Sequence, residues 1–155
     1  MAHEISVTVT QQSDFRFLID FAGIAALQAD EGPPLGKGDG PTPNHLLAAA
    51  VGNCLSASLL FALRKYKQEP GGITTTVTCT IDRNERGRLR VQRIAVDLRL
   101  GRAAAELAHL DRAVQQFEDF CTVTQSVRQG IAIGVRVFDA SGTVVHAAET
   151  ASHAA

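Results

Sequence analysis

The sequence carries almost no charge imbalance: fifteen Lys and Arg against sixteen Asp and Glu leave a formal charge of −1 over 155 residues. A chain so balanced offers no global attraction to nucleic acid or to an anionic membrane. The arginines between Arg83 and Arg93 do not alter this, because they are broken by Glu85, lack aromatic neighbours and suit an ordinary hairpin surface. Cysteine is scarce too. Three residues, Cys54, Cys79 and Cys121, cannot all pair within one chain, and no apolar amino-terminal leader is present, so a reducing, cytoplasmic setting is expected. The histidines have no zinc-type spacing with the cysteines, which argues against a structural metal. Gly36-Lys37-Gly38 lacks the rest of a phosphate-binding loop, and neither an internal repeat nor a heptad pattern is present. Only one apolar run, Leu46 to Leu63, approaches the length of a bilayer core. Gly52, Asn53, Ser56 and Ser58 interrupt it and no second run exists, so a buried helix without membrane insertion is the expectation.

With 45% hydrophobic and 20% charged residues, the chain suits one domain with a sizeable core, expected over residues 1–146, with 147–155 as a flexible tail. Ile5, Val7 and Val9 alternate with polar residues, and Phe15, Phe17, Ile19 and Phe21 do so after a break at Gln11 to Asp14, which reads as a hairpin. A short strand over Ala25 to Ala29 precedes a Gly- and Pro-rich loop, Asp30 to Thr42. Thr42 as cap and Pro43 at the first helical position open a long helix. It is expected to run to about Gln68, roughly 26 residues and about 39 Å at 1.5 Å per residue. Val77, Cys79 and Ile81 alternate as a strand whose partner changes phase, Leu89 and Val91 against Ile94 to Leu100. A bulge near Gln92-Arg93 would restore one apolar face. Ala103, Leu107, Leu110, Val114, Phe117 and Cys121 form the stripe of an amphipathic helix, and Thr122 with Gln125 matches a capping box opening a short helix to Gly130. Strands over Ile131 to Val137 and Thr143 to His146 close the domain. Hairpins mixed with two helical segments, without repeating strand-helix units, give an α+β class.

The two helix-associated cysteines lie 67 residues apart, and sequence separation neither supports nor forbids their contact. Buried cysteines often act as small apolar side chains, so two inert thiols and a functional pair both remain open. A thiolate needs a nearby cation or helix amino terminus. Cys121, just before the Thr122 cap, has the second device available; Cys54 lies deep in its helix and needs a cation. His45 is about 180° from Cys54 and about 13.5 Å away along the axis, beyond contact within one helix. Arg16, projecting opposite to Phe15 and Phe17, and Arg128, seven residues after Cys121, are the charged candidates. Cys79, between Val77 and Ile81, reads as a packing residue.

The segment Gly40-Pro41-Thr42-Pro43-Asn44-His45-Leu46-Leu47-Ala48-Ala49-Ala50-Val51-Gly52-Asn53-Cys54 and the downstream Cys121-Thr122-Val123-Thr124-Gln125-Ser126-Val127-Arg128-Gln129-Gly130 resemble the OsmC/Ohr family, with a likeness over almost the whole chain. The resemblance implies an OsmC-like fold, with antiparallel sheets wrapped around long central helices in an entwined homodimer whose sites lie at the subunit interface. It also implies thiol-dependent reduction of organic hydroperoxides, with Cys54 attacking, Cys121 resolving, no bound cofactor, and an external dithiol or dihydrolipoyl reductant. Peroxidases of this family usually carry Glu directly after the helix-start Pro, paired with an Arg from an amino-terminal loop. Here that position is Asn44, the loop Gln11 to Asp14 has no arginine, and Arg16 is the nearest substitute. A second branch carries Glu where this chain has His45. These departures leave a noncatalytic ligand-binding or redox-sensing dimer as the alternative on the same scaffold.

Overall fold

The computed structural model describes residues 2–150. The expected hairpin forms from β1 (Thr8–Ser13) and β2 (Arg16–Asp20), antiparallel with Val9 opposite Ile19 and Gln11 opposite Phe17. β3 (Leu27–Ala29) pairs antiparallel with the other edge of β2. The chain turns at Asp14 and Phe15 rather than across Gln11 to Asp14. Gln11, Gln12 and Ser13 are strand residues on an exposed strand, where polar side chains remain solvated. Asp14 takes the left-handed conformation that the tight turn needs, at φ 48°. This sheet and the loop after it belong to the first of two compact units, which divide between Leu47 and Ala48.

The helix α1 (Pro43–Lys65) ends three residues before the expected Gln68. Lys67 adopts φ 56°, its N–H donates to the Arg64 carbonyl, and the Gln68 N–H donates to Leu63. That is the two-bond closure of a Schellman end, so the helix stops ahead of Pro70 without leaving these carbonyls unpaired. By length and composition alone α1 matches a bilayer span. Within the second unit, however, Val51, Leu55, Leu59 and Leu63 are completely buried, at the spacing of one helix face.

That face lies on a sheet of order β4 (Ile73–Arg83), β5 (Leu89–Leu100), β6 (Ala132–Phe138), β7 (Val144–Thr150). Val77, Val96 and Val135 form one row across it. A Cβ on Gly52 would stand 2.6 Å from a Val77 methyl carbon, so glycine is what permits the helix to approach β4 this closely. One turn on, the Ser56 and Thr75 hydroxyls meet at 2.6 Å. The flanking rows, Ile94 with Ile133 and Leu98 with Val137, are almost wholly buried and form the core.

The expected bulge is present: Thr80 pairs with Arg93 and Ile81 with Val91, leaving Gln92 as the extra residue. The sheet is mixed rather than wholly antiparallel. β5 and β6 run parallel, because the helical connection over 101–131 is long enough to carry the chain back to the same end. The single amphipathic helix expected from Ala103 to Cys121 is broken into a 3₁₀ turn (Ala104–Glu106), α2 (Leu110–Gln116) and a second 3₁₀ turn (Phe117–Phe120). Tertiary acceptors compete for its amides. Ala104 N–H donates to Asp139 Oδ2 and Ala108 N–H to Gln68 Oε1, while His109 turns left-handed at φ 59°. The apolar stripe nevertheless stays inside, with Leu107, Leu110, Val114, Phe117 and Cys121 buried. β7 continues through Thr150, so Ala147 to Thr150 are paired strand rather than tail; residues 151–155 lie outside the described residues.

Candidate functional site

Cys121 sits where the second 3₁₀ turn gives way to α3 (Thr122–Val127), in an extended conformation at φ −84° and ψ 93°. It takes the capping position that the sequence had given to Thr122. Its sulfur accepts the Thr124 N–H at 3.4 Å and its thiol donates to Thr124 Oγ1 at 2.9 Å. Gln125, the expected second half of a capping box, instead donates its Nε2 to the Glu118 carbonyl at 3.0 Å. Cys121 is completely buried.

The Cys54 side chain on α1 lies beside the Cys121 sulfur, near enough to act on its ionisation. Both are free thiols, and Cys54 is half-buried. The fold thus joins two sulfurs that the sequence left 67 positions apart. Burial pushes the Cys121 thiol up from its ordinary value, and the neighbouring Cys54 sulfur adds to the rise. The two Thr124 contacts act in the opposite direction without cancelling it. Cys121 therefore rests as a neutral thiol beside a more accessible partner. Of the two, Cys54 is the more exposed to solvent. Cys79 is half-buried on β4, with its thiol also pushed up by burial, in keeping with a packing residue.

Arg128, one of the two expected cations, is engaged elsewhere. Its Nη2 lies 2.8 Å from Glu118 Oε2, and His146 Nε2 on β7 lies 2.8 Å from Glu118 Oε1. Burial opposes ionisation of Glu118, but the hydrogen bonds from His146 and Arg128 outweigh it and hold the carboxyl below its ordinary range.

In the first unit, Arg16 is half-buried and paired with Asp39. Asp39 is itself held by its N–H, which donates to Asp30 Oδ2 at 3.1 Å; the same carboxylate accepts the N–H groups of Glu31 and Lys37. The bond from the Asp39 amide is the largest reason that the Asp30 carboxyl lies below its ordinary value, burial opposing it. Asn44 and His45 are exposed in the first turn of α1. His45 Nδ1 lies 2.8 Å from Thr42 Oγ1 and accepts the Thr42 N–H at 3.2 Å, a reciprocal cap in which histidine fills the place usually taken by Glu or Gln.

The sequence reading missed Thr124, Glu118, His146 and Asp39. Thr124 and Glu118 each stand three residues from Cys121, the spacing of one helical or 3₁₀ turn, which was the available signal. His146 and Asp39 act through long-range contacts that carry none. Among the described residues, no group of three or more His, Cys, Asp and Glu side chains is arranged to hold a metal ion.

The model of the OsmC-like protein family matches residues 36–136, a span holding both cysteines. The chain belongs to that family. Comparison with curated proteins returned no match. Among solved structures, an OsmC-like protein of unknown function from Vibrio cholerae superposes with a TM-score of 0.74 at 17% identity, over 88% of this chain and 100% of that one. An organic hydroperoxide resistance protein from Elizabethkingia anophelis gives 0.70 at 18% identity, over 88% and 96%. OhrB of Bacillus subtilis, also an organic hydroperoxide resistance protein, gives 0.67 at 16% identity, over 87% and 98%. These likenesses establish the α+β OsmC-like fold. OsmC-like membership and the facing thiols together support a redox-active role.

Proposed function

We propose that the protein reduces organic hydroperoxides to alcohols at the expense of an external dithiol. The observation that carries this reading is the placing of a half-buried Cys54 beside a buried Cys121, in a chain whose fold is shared with organic hydroperoxide resistance proteins. The Cys54 thiolate attacks the terminal peroxide oxygen. The O–O bond breaks, the alkoxide leaves and takes a proton, and Cys54 becomes a sulfenic acid. Cys121 then gives up its proton and attacks the Cys54 sulfur; the S–S bond forms, the S–O bond breaks and water leaves. A dithiol such as a dihydrolipoyl group returns both cysteines to thiols by exchange, with no bound cofactor.

Arg16 is the proposed cation for the Cys54 thiolate, and Asp39 supplies the organising carboxylate that Asn44 cannot. His45 of a second copy is the other candidate; Thr42, rather than Asn44, holds its ring. The functional molecule is proposed to be an entwined homodimer. Support comes from large apolar side chains left exposed in the single chain, Val9 and Leu18 in one unit and Phe61, Leu89 and Phe120 in the other, which a second copy would cover. The reducing, cytoplasmic setting expected from the cysteine content suits chemistry that returns to free thiols.

Turnover of cumene hydroperoxide with a dithiol, lost in Cys54→Ser, tests the assignment. Absence of turnover across several organic hydroperoxides and reductants rejects it. Redox sensing is the second reading, favoured by the lack of a carboxylate at Asn44. It expects the disulfide to form once per oxidant without sustained turnover.

A further inference from the structure

We infer that Glu118 is a positioning residue for Cys121, held by Arg128 and His146 so that the buried thiol meets the Cys54 sulfur in bonding orientation. The inference deepens the proposed function and rests on that reading for its peroxide arm only.

Glu118 anchors the Cys121 segment through both its side chain and its backbone. Its carboxylate bridges Arg128, which directly follows α3, and His146 on β7, each at 2.8 Å, and the side chain is only 13% exposed. Its carbonyl accepts the Cys121 N–H at 3.1 Å and the Gln125 Nε2 at 3.0 Å. The ring of Phe117, the preceding residue, meets the His146 ring edge-on at 5.5 Å. One residue therefore ties the turn before Cys121 to the sheet, to the start of α3 and to its end. Such bracing bears on a reaction in which one sulfur must approach another along a narrow line of attack. It has no direct part in the first oxidation, which happens at Cys54 on a different element. Arg128 thus acts on Cys121 through Glu118, not as a counterion to a thiolate.

The step affected is the condensation of the Cys54 sulfenic acid with the Cys121 thiol, in which the S–S bond forms and water leaves. In single-turnover experiments with cumene hydroperoxide, sulfenic acid is trapped with dimedone and the disulfide is counted by mass. Glu118→Gln is expected to form the sulfenic acid within about twofold of the unaltered rate but to close the disulfide about tenfold more slowly, a loss smaller than the roughly hundredfold that a full 1 Å misplacement can cost. Dimedone adducts should accumulate accordingly. Arg128 reaches the carboxylate through one contact, so Arg128→Lys should restore most of the closure rate that Arg128→Met loses. A global loss of structure would slow both steps together and would not be rescued by lysine.

The diamide arm separates this inference from the assigned reaction. Diamide oxidises a dithiol directly, becoming a hydrazine as the disulfide forms, so closure is measurable even where hydroperoxide does not react. Unaltered protein inert to hydroperoxide but closed by diamide rejects the peroxidase reading and leaves the Glu118 comparison intact. Closure at the unaltered rate in folded Glu118→Gln and Arg128→Met, with either oxidant, overturns the inference.

Discussion

Cys54 and Cys121 differ in exposure, and the proposed order of reaction rests on that difference. Cys121→Ser should still consume one equivalent of hydroperoxide but leave Cys54 as a sulfenic acid, open to further oxidation; dimedone labelling with intact-mass measurement checks this. Elsewhere in the second unit, the Asp139 carboxylate accepts hydrogen bonds from the Ala104 amide at 2.9 Å, the Ser141 hydroxyl and amide at 2.7 and 2.9 Å and the Thr143 amide at 3.0 Å. The Ala104 bond is the largest contribution lowering its pKa, from an ordinary 3.8 to about 2. Because the folded value is the depressed one, the stabilisation is present above the ordinary value. It is lost as pH falls from 3.8 toward about 2. Asp139→Asn should flatten the acid limb of stability against pH in that window, read by urea midpoints. At this scale the nucleophile candidates were legible as residue types, Cys54 within a helix and Cys121 beside a helix start. Their contact was not, since no local pattern encodes a meeting between residues this far apart, and the partners of Glu118 and Arg16 were hidden for the same reason.

Among the elements, α1 was the most legible, because Thr42-Pro43 and the long apolar run are local signals. Its closure at Lys67 was not, since a lysine in the left-handed region has no sequence signature of the kind glycine provides. The bulge at Gln92 was readable from the phase change between Val91 and Ile94. The break in the segment ending at Cys121 was not, because amides captured by Asp139 and Gln68 override an unbroken apolar stripe. The close approach of α1 to β4 makes Gly52 a sharp test. Alanine would gain about 1 kcal/mol of helix propensity. Its methyl meets the stiff Val77 side chain at 2.6 Å, and overpacking of this kind costs about 1–3 kcal/mol. Gly52→Ala should therefore lower stability by about 1 kcal/mol, with the denaturant slope unchanged. The Gly52→Ala, Val77→Ala double variant should lose less than the sum of the singles.

For the whole molecule, the α+β class followed from the order of hairpins and helical segments. The parallel β5–β6 pair escaped sequence reading because strand direction depends on where a long connection returns. Exposed Val9, Leu18, Phe61, Leu89 and Phe120 lead to the expectation that light scattering coupled to size exclusion gives twice the chain mass. A monomer at micromolar concentration would remove the proposed dimer and with it a role for a second copy's His45. The chemistry is tested most directly by titrating the reduced protein with cumene hydroperoxide and mapping the cysteines by peptide mass. One equivalent should convert Cys54 and Cys121 into a single mutual disulfide while Cys79 stays free, and dithiol should return both thiols. Cys54 and Cys121 still free after excess hydroperoxide would contradict the redox assignment.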